Sequence, residues 1–350
     1  MTSRDRLVVL GATGATGRRV VGLAAAAGLQ PVAVGRRAEA LAAVTAGLDA
    51  EIRVAGLDPG ELDVALADAA VVVGAVGPAT HFGPAMLAAT LRAGAHWIDF
   101  SGEPRWVLRV ATEFADGAKT CLLPSLGLGV AADLAAVSAA AGVGDVRRVT
   151  VAYRIRGMKP SVATARSTVE ILAGGTPVAS AAGIRFLPVG RAGAALPGVA
   201  FPTPDPIVLH SIWPQATIRT VMSAPAVRVT GAVLTAFGAA LRQPAVLRGA
   251  RKAMTAWADR PRDHARGGGG RASATVLVEG SAGSRTVLAE VHDVYDVTAR
   301  SGFLAARALL AGAGIPGLRS WTSVVGAGDA VAAEVGVRRY DRSSPPVRTI

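Results

Sequence analysis

The chain has 350 residues, of which 51% are hydrophobic but only 4% are aromatic, so it is expected to form about two domains with cores of small aliphatic side chains. Its single cysteine, Cys121, excludes a disulfide framework and a thiolate metal cluster. The net charge of +12 lies in the C-terminal part, since residues 1–125 carry 11 Lys and Arg against 12 Asp and Glu. Neither zinc-finger spacing nor an aromatic platform accompanies the arginines, so nucleic-acid binding is not expected.

The N-terminus and the apolar runs bear on location. The residues before Leu7 lack the apolar stretch of a signal peptide. The longest weakly charged apolar run, Val229–Leu241, is shorter than the roughly 20 residues that a membrane span requires. We therefore expect a cytoplasmic protein.

The first part of the chain alternates between strand and helix patterns. Strands are predicted at residues 7–10, 31–35, 51–54, 70–76, 96–100 and 119–123, with helices at 18–28, 38–46, 61–67 and 84–93. Strands that alternate with helices in this way form parallel sheets with right-handed crossovers. Residues 1–130 are thus predicted to be a Rossmann-type, doubly wound α/β domain.

After this domain the pattern changes to that of a second, α+β domain, which we assign to residues 131–296 and expect to bind substrate. It is indicated by a half-exposed strand at 149–155, a helix at 161–174 and an antiparallel strand pair at 272–279 and 286–292.

The C-terminal residues are divided between a helical segment and a tail. Residues 297–337 are predicted to return to the Rossmann domain, because a final helix and the apolar residues after it can pack there. Residues 338–350 are predicted to be a loose tail.

Three glycines follow the first predicted strand. In Gly11-Ala-Thr13-Gly14-Ala-Thr16-Gly17, the first glycine permits a tight turn, the second lets the backbone approach a pyrophosphate, and the third brings the helix close to the strand. The amides of the helix N-terminus then face the anion. The spacing differs from G-x-G-x-x-G, but its place between a strand and a helix predicts dinucleotide binding, with Thr13 and Thr16 contributing.

The end of the second predicted strand indicates which dinucleotide binds. NAD-dependent proteins place an acid there to hold the ribose 2′-hydroxyl, whereas this chain has Arg36 and Arg37. A guanidinium pairs with a 2′-phosphate and can stack on the adenine. The predicted cofactor is therefore NADP(H); the alternative is that both arginines are only solvated.

Several common catalytic arrangements are absent from the sequence. No lysine lies four residues beyond Tyr153, Tyr295 or Tyr340, which excludes the tyrosine–lysine chemistry of short-chain dehydrogenases. No serine occupies a G-x-S-x-G elbow, so α/β-hydrolase chemistry is unsupported. The five histidines show no ligand spacing, and no metal requirement is expected.

Three stretches carry a more specific signature: Val71–Pro78, His81–Gly83 and Ala93–Glu103. Together with the glycine turn, they resemble the saccharopine dehydrogenase-like family, in particular its trans-acting enoyl reductase branch. Arg166–Glu170 and Tyr295–Ala299 add to the likeness. The resemblance implies an NADP(H)-binding Rossmann domain, an α/β second domain and a substrate cleft between them.

The carboxyl end of the fourth predicted strand is the expected position of a nicotinamide, because ligands bind outside the ends of parallel strands. Val76-Gly77-Pro78 forms the turn there, and His81, Asp99 and Glu103 surround the same edge as candidate catalytic residues. His81 is the most suitable proton donor near neutral pH, and Glu103 is second. The alternatives are that both carboxylates brace the loops and that His81 is an ordinary loop histidine.

Candidate substrate contacts are Phe82, Tyr153 and Lys159, the last two from the second domain. A tyrosine in a strand can equally serve packing alone.

A basic amphipathic segment spans residues 227–257, with a break at Pro244. Its cations gather in the C-terminal half: Arg242, Arg248, Arg251 and Lys252. The apolar face either closes the core of the second domain or covers the cleft above a long apolar substrate. Residues 242–271 are a candidate contact with a membrane surface or a carrier protein, and a homodimer is compatible with the sequence.

Three functions remain open at this level. The first is an NADPH-dependent reductase that transfers hydride to a C=C or C=N bond of an apolar or carrier-bound biosynthetic intermediate of polyketide or lipid type. The second is an amino-acid oxidoreductase like saccharopine dehydrogenase, which requires cations to hold the substrate carboxylates. The third is a non-catalytic NADP(H)-binding scaffold or sensor.

Overall fold

Two β-sheets organise the chain, which the computed structural model describes over residues 5–174, 198–223, 227–258 and 269–341. In chain order the strands are β1 (Arg6–Leu10), β2 (Val32–Gly35), β3 (Glu51–Val54), β4 (Ala69–Gly74), β5 (His96–Asp99), β6 (Cys121–Leu123), β7 (Val146–Arg156), β8 (Gly198–Ala200), β9 (Thr217–Ser223), β10 (Arg271–Gly280), β11 (Gly283–Val291), β12 (Gly317–Leu318) and β13 (Val337–Asp341).

Helices cover both sheets. In chain order they are α1 (Ala15–Ala26), α2 (Ala38–Thr45), α3 (Pro59–Ala65), α4 (Ala79–Ala93), α5 (Pro104–Arg109), α6 (Leu128–Ala140), α7 (Val162–Ala173), α8 (Asp205–His210), α9 (Val227–Leu241), α10 (Pro244–Ala258), α11 (Val294–Leu310), α12 (Trp321–Val325) and α13 (Asp329–Val335). A π-helical turn, Val110–Phe114, continues α5. Among the described residues no helix combines the length and the hydropathy needed to cross a membrane.

The first sheet is parallel, with the order β3-β2-β1-β4-β5-β6-β12. β1 and β4 are central, and Leu7–Leu10 and Val71–Val73 are buried because helices cover both faces. The chain reverses its direction of travel across the sheet between β1 and β4, which opens a crevice at their carboxyl ends. The predicted Rossmann-type α/β fold is thereby confirmed.

The second sheet is mixed, with the order β13-β11-β10-β7-β9-β8. β10 and β11 form the antiparallel hairpin that the sequence predicts, and β10 also pairs with β7. Helix α6 packs against β10 and β11, and its residues are buried around most of its circumference, which fits its almost wholly apolar sequence. The predicted second domain with its own sheet is therefore present.

Helix α11 joins the two sheets. The Asp293 carboxylate caps it by accepting the backbone N–H groups of Tyr295 and Asp296. The helix is buried along most of its length and packs against α1 and the ends of β4 and β5. Its first turns are thus placed at the crevice of the first sheet.

Three differences from the sequence prediction bear on the site or on the chain terminus. Helix α4 begins at Ala79 rather than at Pro84, because a buried carboxylate, described below, binds its first amides. β9 was not predicted and lies parallel to β7. The predicted loose tail is wrong for residues 338–341, which pair with the open edge of β11 as part of β13; residues 342–350 lie outside the described residues.

The glycine turn allows α1 to lie directly on the end of β1, and this contact can be tested. A Cβ added at Gly17 would lie 2.3 Å from the Gly11 carbonyl oxygen, whereas one added at Gly22, in the same helix, would meet no atom within 4 Å. We expect Gly17→Ala to lower the free energy of unfolding by about 1–3 kcal/mol. Gly22→Ala, the control, should raise it by up to about 1 kcal/mol, because alanine favours helix. Urea denaturation measures both, and equal stabilities would contradict the close packing.

Candidate functional site

A cavity of about 310 Å³, which we call the main cavity, lies between the two domains at the carboxyl ends of β4 and β5. One wall consists of Gly74–Gly77, Asp99–Glu103 and Ser125–Gly129 from the Rossmann domain. The opposite wall comes from β7, α7, the segment before α8 and the start of α11. The cavity therefore occupies the edge where ligands bind in open α/β sheets.

The glycine turn adjoins this cavity. A Cβ at Gly11 would lie 2.8 Å from Val76 Cγ2 and 2.9 Å from the Ala75 carbonyl oxygen, so the turn lies against the end of β4. Gly14 is the N-cap residue of α1, where no side chain caps the helix and no acid occupies the first turn. These first amides are the kind of group that binds a pyrophosphate.

Both threonines of the turn are partly buried. Thr16, in the first turn of α1, lines the cavity. Thr13 is held through its carbonyl oxygen, which accepts a hydrogen bond from Arg18 Nη2 at 2.9 Å.

The residues of the turn Val76-Gly77-Pro78 line two different pockets. Val76 and Gly77 line the main cavity, and the Gly77–Pro78 peptide bond is cis. Pro78 is the N-cap residue of α4 and lines a smaller neighbouring pocket.

Arg36 and Arg37 directly follow β2 and are exposed. Arg37 is the N-cap residue of α2. Within the described ranges neither guanidinium is engaged in an ion pair. Both are therefore available at the position that an NAD-binding protein gives to an acid.

Asp99 lies at the floor of the cavity and is 2% exposed. Its Oδ2 accepts hydrogen bonds from Trp97 Nε1 at 2.9 Å and Trp106 Nε1 at 2.8 Å. Its Oδ1 accepts the backbone N–H groups of Ser101 at 2.9 Å and Ser125 at 3.0 Å. Burial raises the pKa of Asp99, and these four donors oppose the rise. The geometry gives Asp99 a bracing position; its catalytic assignment stays a prediction.

Glu103 is also buried at the cavity, and it caps α4. Its two oxygens accept the backbone N–H groups of Ala79 at 2.9 Å and Thr80 at 2.8 Å, together with the Thr80 hydroxyl. The Ser167 hydroxyl of α7 donates to the same carboxylate at 2.7 Å. Glu103 therefore joins the two domains, and a role as proton donor stays a prediction.

His81 and Phe82 line the smaller pocket, of about 230 Å³, and are not among the residues that line the main cavity. His81 Nε2 lies 3.2 Å from Glu170 Oε1, and Arg251 of α10 binds both Glu170 oxygens at 2.8 Å. Burial raises the pKa of Glu170, but hydrogen bonds from Arg251 and His81 outweigh it and leave that pKa below its usual value. Both predicted site residues thus sit beside the cleft and not in it.

The two other predicted substrate contacts are separated. Tyr153 lines the main cavity, whereas the Lys159 side chain is exposed and does not line it. The Lys159 carbonyl oxygen is 3.4 Å from the Tyr295 hydroxyl. Tyr295, from the first turn of α11, also lines the cavity and accepts the backbone N–H of Ser161 at 2.6 Å.

A cluster that sequence reasoning missed lies behind Tyr153. The Tyr153 hydroxyl donates to Asp205 Oδ1 at 2.5 Å, and the Thr203 hydroxyl donates to Asp205 Oδ2. Asp133 of α6 and Asp205 are both buried and border the same small void. The sequence signal that could have indicated this cluster is that Asp133 and Asp205 each lie in a mainly apolar stretch. The sequence does not indicate that the two side chains lie near each other.

All three groups of this cluster have raised pKa values. Burial raises the pKa of Asp133 well above its usual value, and the negative charge of Asp205 raises it further. Burial also raises the pKa of Asp205, although the Thr203 and Tyr153 hydroxyls oppose this, and it raises the pKa of Tyr153. The described residues that line the main cavity include no Lys, Arg or His.

Helices α9 and α10 pack against α7, and none of their described residues lines the main cavity. Val233 and Phe237 are 60% and 47% exposed, whereas Leu241 is buried. The apolar face of this segment is thus only partly covered. Contact of residues 242–271 with a carrier or membrane stays a prediction, and residues 259–268 lie outside the described residues.

No family model and no curated protein sequence matches the chain. Among solved structures, 97% of the chain matches the whole of apo saccharopine dehydrogenase (L-Glu forming) from Saccharomyces cerevisiae, with a TM-score of 0.58 and 12% identity. The chain shares the fold of that enzyme.

Shorter matches cover 27% of this chain each, with TM-scores of 0.25. One is to 46% of a short-chain dehydrogenase/reductase from Veillonella parvula in complex with NADP, at 16% identity. The other is to 36% of the yeast methylglyoxal/isovaleraldehyde reductase Gre2 complexed with NADPH, at 15% identity.

The raised pKa of Asp133 predicts how the stability depends on pH. The folded protein holds this proton more tightly than the unfolded chain, whose pKa is near 3.8, so the free energy of unfolding falls as the pH rises above that value. Asparagine does not titrate. Asp133→Asn should therefore raise the thermal midpoint by about 2–4 °C at about pH 8 and change it little at about pH 4.

The exposed Asp116 supplies the control, since Asp116→Asn should leave the midpoint unchanged at both pH values. Differential scanning calorimetry measures these shifts. Equal destabilisation of Asp133→Asn at both pH values would contradict a raised pKa at this position.

Proposed function

We propose that the chain is an NADP(H)-dependent oxidoreductase. The observation that carries the proposal is that the glycine turn and the main cavity meet at the carboxyl end of β4, around Val76 and Gly77. A dinucleotide whose pyrophosphate lies at the N-terminus of α1 would extend toward this edge. When bound, NADPH would supply a hydride to a substrate in the cavity. The fold shared with a dehydrogenase over nearly the whole chain supports the same assignment.

The choice of NADP(H) over NAD(H) rests on Arg36 and Arg37. Both are exposed immediately after β2, and no acid stands at this position to repel a 2′-phosphate. The planar guanidinium of an arginine can bind two phosphate oxygens at once and can also stack on the adenine ring.

We further propose that the substrate is neutral or apolar at its reacting end, with a C=C or C=N bond as the acceptor. The support is the absence of Lys, Arg and His from the described cavity lining, together with apolar contributions from Ile155, Met158 and Ile171. An amino-acid substrate with two carboxylates would need cations in the cleft, because an unpaired buried charge is costly. The reductase is thus favoured over the amino-acid oxidoreductase.

Asp99 and Glu103 fix the backbone segments that form the walls of the cavity. Asp99 fixes the loops after β5 and β6, and Glu103 fixes the start of α4 against α7. Burial of these groups at the cavity floor keeps the site preorganised. Hydride transfer would then depend mainly on the alignment of two molecules bound in this cavity.

Cofactor preference tests the first part of the proposal. NADPH should bind at least about tenfold more tightly than NADH, equivalent to about 1.4 kcal/mol, because only NADPH carries the 2′-phosphate. The double variant Arg36→Ala, Arg37→Ala should lose this preference. Arg148→Ala, an exposed arginine of the second sheet, is the control and should retain it. Fluorescence titration measures the affinities; equal affinities in the wild type would overturn the cofactor assignment.

Substrate charge tests the second part. A medium-chain trans-enoyl thioester of N-acetylcysteamine or an apolar cyclic imine should be reduced at the expense of NADPH, with kcat/KM at least about 100-fold above that for saccharopine synthesis from its precursors. The difference follows from the cost of placing carboxylates against a wall without cations. NADPH oxidation measured at 340 nm follows both reactions. The reverse preference would support the amino-acid oxidoreductase, and tight NADPH binding without oxidation would support the scaffold.

A further inference from the structure

The cluster of Tyr153, Asp205 and Asp133 forms a polar path from the main cavity to a small void that both aspartates border. Tyr153 and Asp205 line the cavity, and Asp205 and Asp133 border a void of about 10 Å³, which is about the room that one water needs. The hydroxyl of Tyr153 is 2.5 Å from Asp205 Oδ1. The path thus begins at the Tyr153 phenol in the cavity and ends at the Asp133 carboxyl of α6.

The surroundings of this path do not compensate two negative charges. The residues that border the void are mainly apolar, among them Leu126, Val130 and Val208, and no Lys, Arg or His is among them in the described part of the chain. Two carboxylates that are both buried and close together cannot both ionise at moderate cost. Burial of both carboxyl groups, and the effect of the Asp205 charge on Asp133, therefore favour a proton held on the pair.

We propose that Tyr153 delivers the proton that accompanies hydride transfer, and that the Asp205–Asp133 pair replaces it. This inference rests on the proposed function, because it assigns the proton source of the same reduction. Tyr153 lines the main cavity, whereas His81, the proton donor that the sequence favours, lines the neighbouring smaller pocket.

With a conjugated C=C bond, bound NADPH would supply the hydride with its two electrons and would leave as NADP⁺, and the negative charge would fall on the conjugated carbonyl of the substrate. The Tyr153 O–H bond breaks as that proton is transferred to the substrate. The phenolate oxygen takes the one proton of the pair from Asp205, to which Asp133 passes that proton when it holds it. A proton from solvent then restores the pair.

The other acidic groups at the cavity are less suited to this step. The two oxygens of Asp99 accept hydrogen bonds from four N–H groups. Because an N–H group can only donate, these bonds keep Asp99 as an acceptor and disfavour its use as a proton donor. Glu103 accepts two backbone N–H groups and two hydroxyls. Tyr153 differs because its hydroxyl hydrogen is released toward the cavity whenever Asp205 carries the proton.

Two measurements on the full-length protein test the inference. The first is infrared spectroscopy of the wild type, Asp133→Asn and Asp205→Asn near neutral pH, which detects the C=O stretch of a protonated carboxyl without any substrate. We expect this band in the wild type and its loss in at least one of the two variants. No band in the wild type would overturn the inference whatever the activity.

The second measurement is turnover of the enoyl thioester and of the cyclic imine with NADPH. Tyr153→Phe should lower kcat by about 100-fold or more, the usual contribution of a positioned acid, while the Kd for NADPH changes by less than about twofold. Tyr295→Phe is the matched control, since it removes a phenol from the same cavity that has no carboxylate partner among the described residues. It should lower kcat by less than about tenfold and leave the solvent deuterium isotope effect unchanged.

The outcomes separate the two proposals. Wild-type turnover that Tyr153→Phe leaves within about twofold would overturn the inference and keep the proposed function. No NADPH oxidation by the wild type with either probe would overturn the proposed function, and the inference with it. Loss of kcat in Tyr153→Phe but not in Tyr295→Phe, with the infrared band present, supports both.

Discussion

One buried carboxylate holds the floor of the cleft in place. Asp99 ends β5 and accepts N–H groups from Trp97, Trp106, Ser101 and Ser125, which belong to the strand, to α5 and to the loops after β5 and β6. Each of these donors, if buried without an acceptor, would cost about 1–3 kcal/mol. The loops that face the cavity thus depend on a single acceptor, and a side chain without two such oxygens cannot replace it.

A second set of hydrogen bonds connects this floor to the other domain. Glu103 caps α4 and accepts the Ser167 hydroxyl from α7, while Tyr295 of α11 accepts the backbone N–H before α7. Both contacts lie on the cavity wall. The Glu103–Ser167 hydrogen bond therefore joins the two domains at the cavity, and the Tyr295 contact fixes the start of α7 beside it.

Charge is distributed unevenly between the surface and the cleft. The chain carries a net +12, yet its cations lie outside the main cavity in the described residues, for example in the Arg251–Glu170–His81 group of the smaller pocket. Within the cavity the acids act as acceptors for backbone, indole and hydroxyl donors. The positive net charge of the chain therefore does not describe the lining of the cavity.

The amino-acid sequence by itself determined the features that depend on neighbours along the chain. The alternation of buried strands with helices predicted the Rossmann sheet, because burial on both faces requires continuous apolar runs such as Leu7–Leu10. The glycine spacing and the Arg36-Arg37 pair could be interpreted in the same way, since the turn and the end of β2 are local structures.

Only the tertiary structure decided which distant side chains meet. Asp133 and Asp205 belong to different helices and come together because α6 and α8 pack beside the same loop, and no periodicity in the sequence encodes that contact. The same holds for His81, which follows the turn Val76-Gly77-Pro78 in sequence but lies beside Glu170 of α7 in a separate pocket. Hydrogen bonds between remote side chains depend on the relative position of whole elements, which tertiary packing fixes.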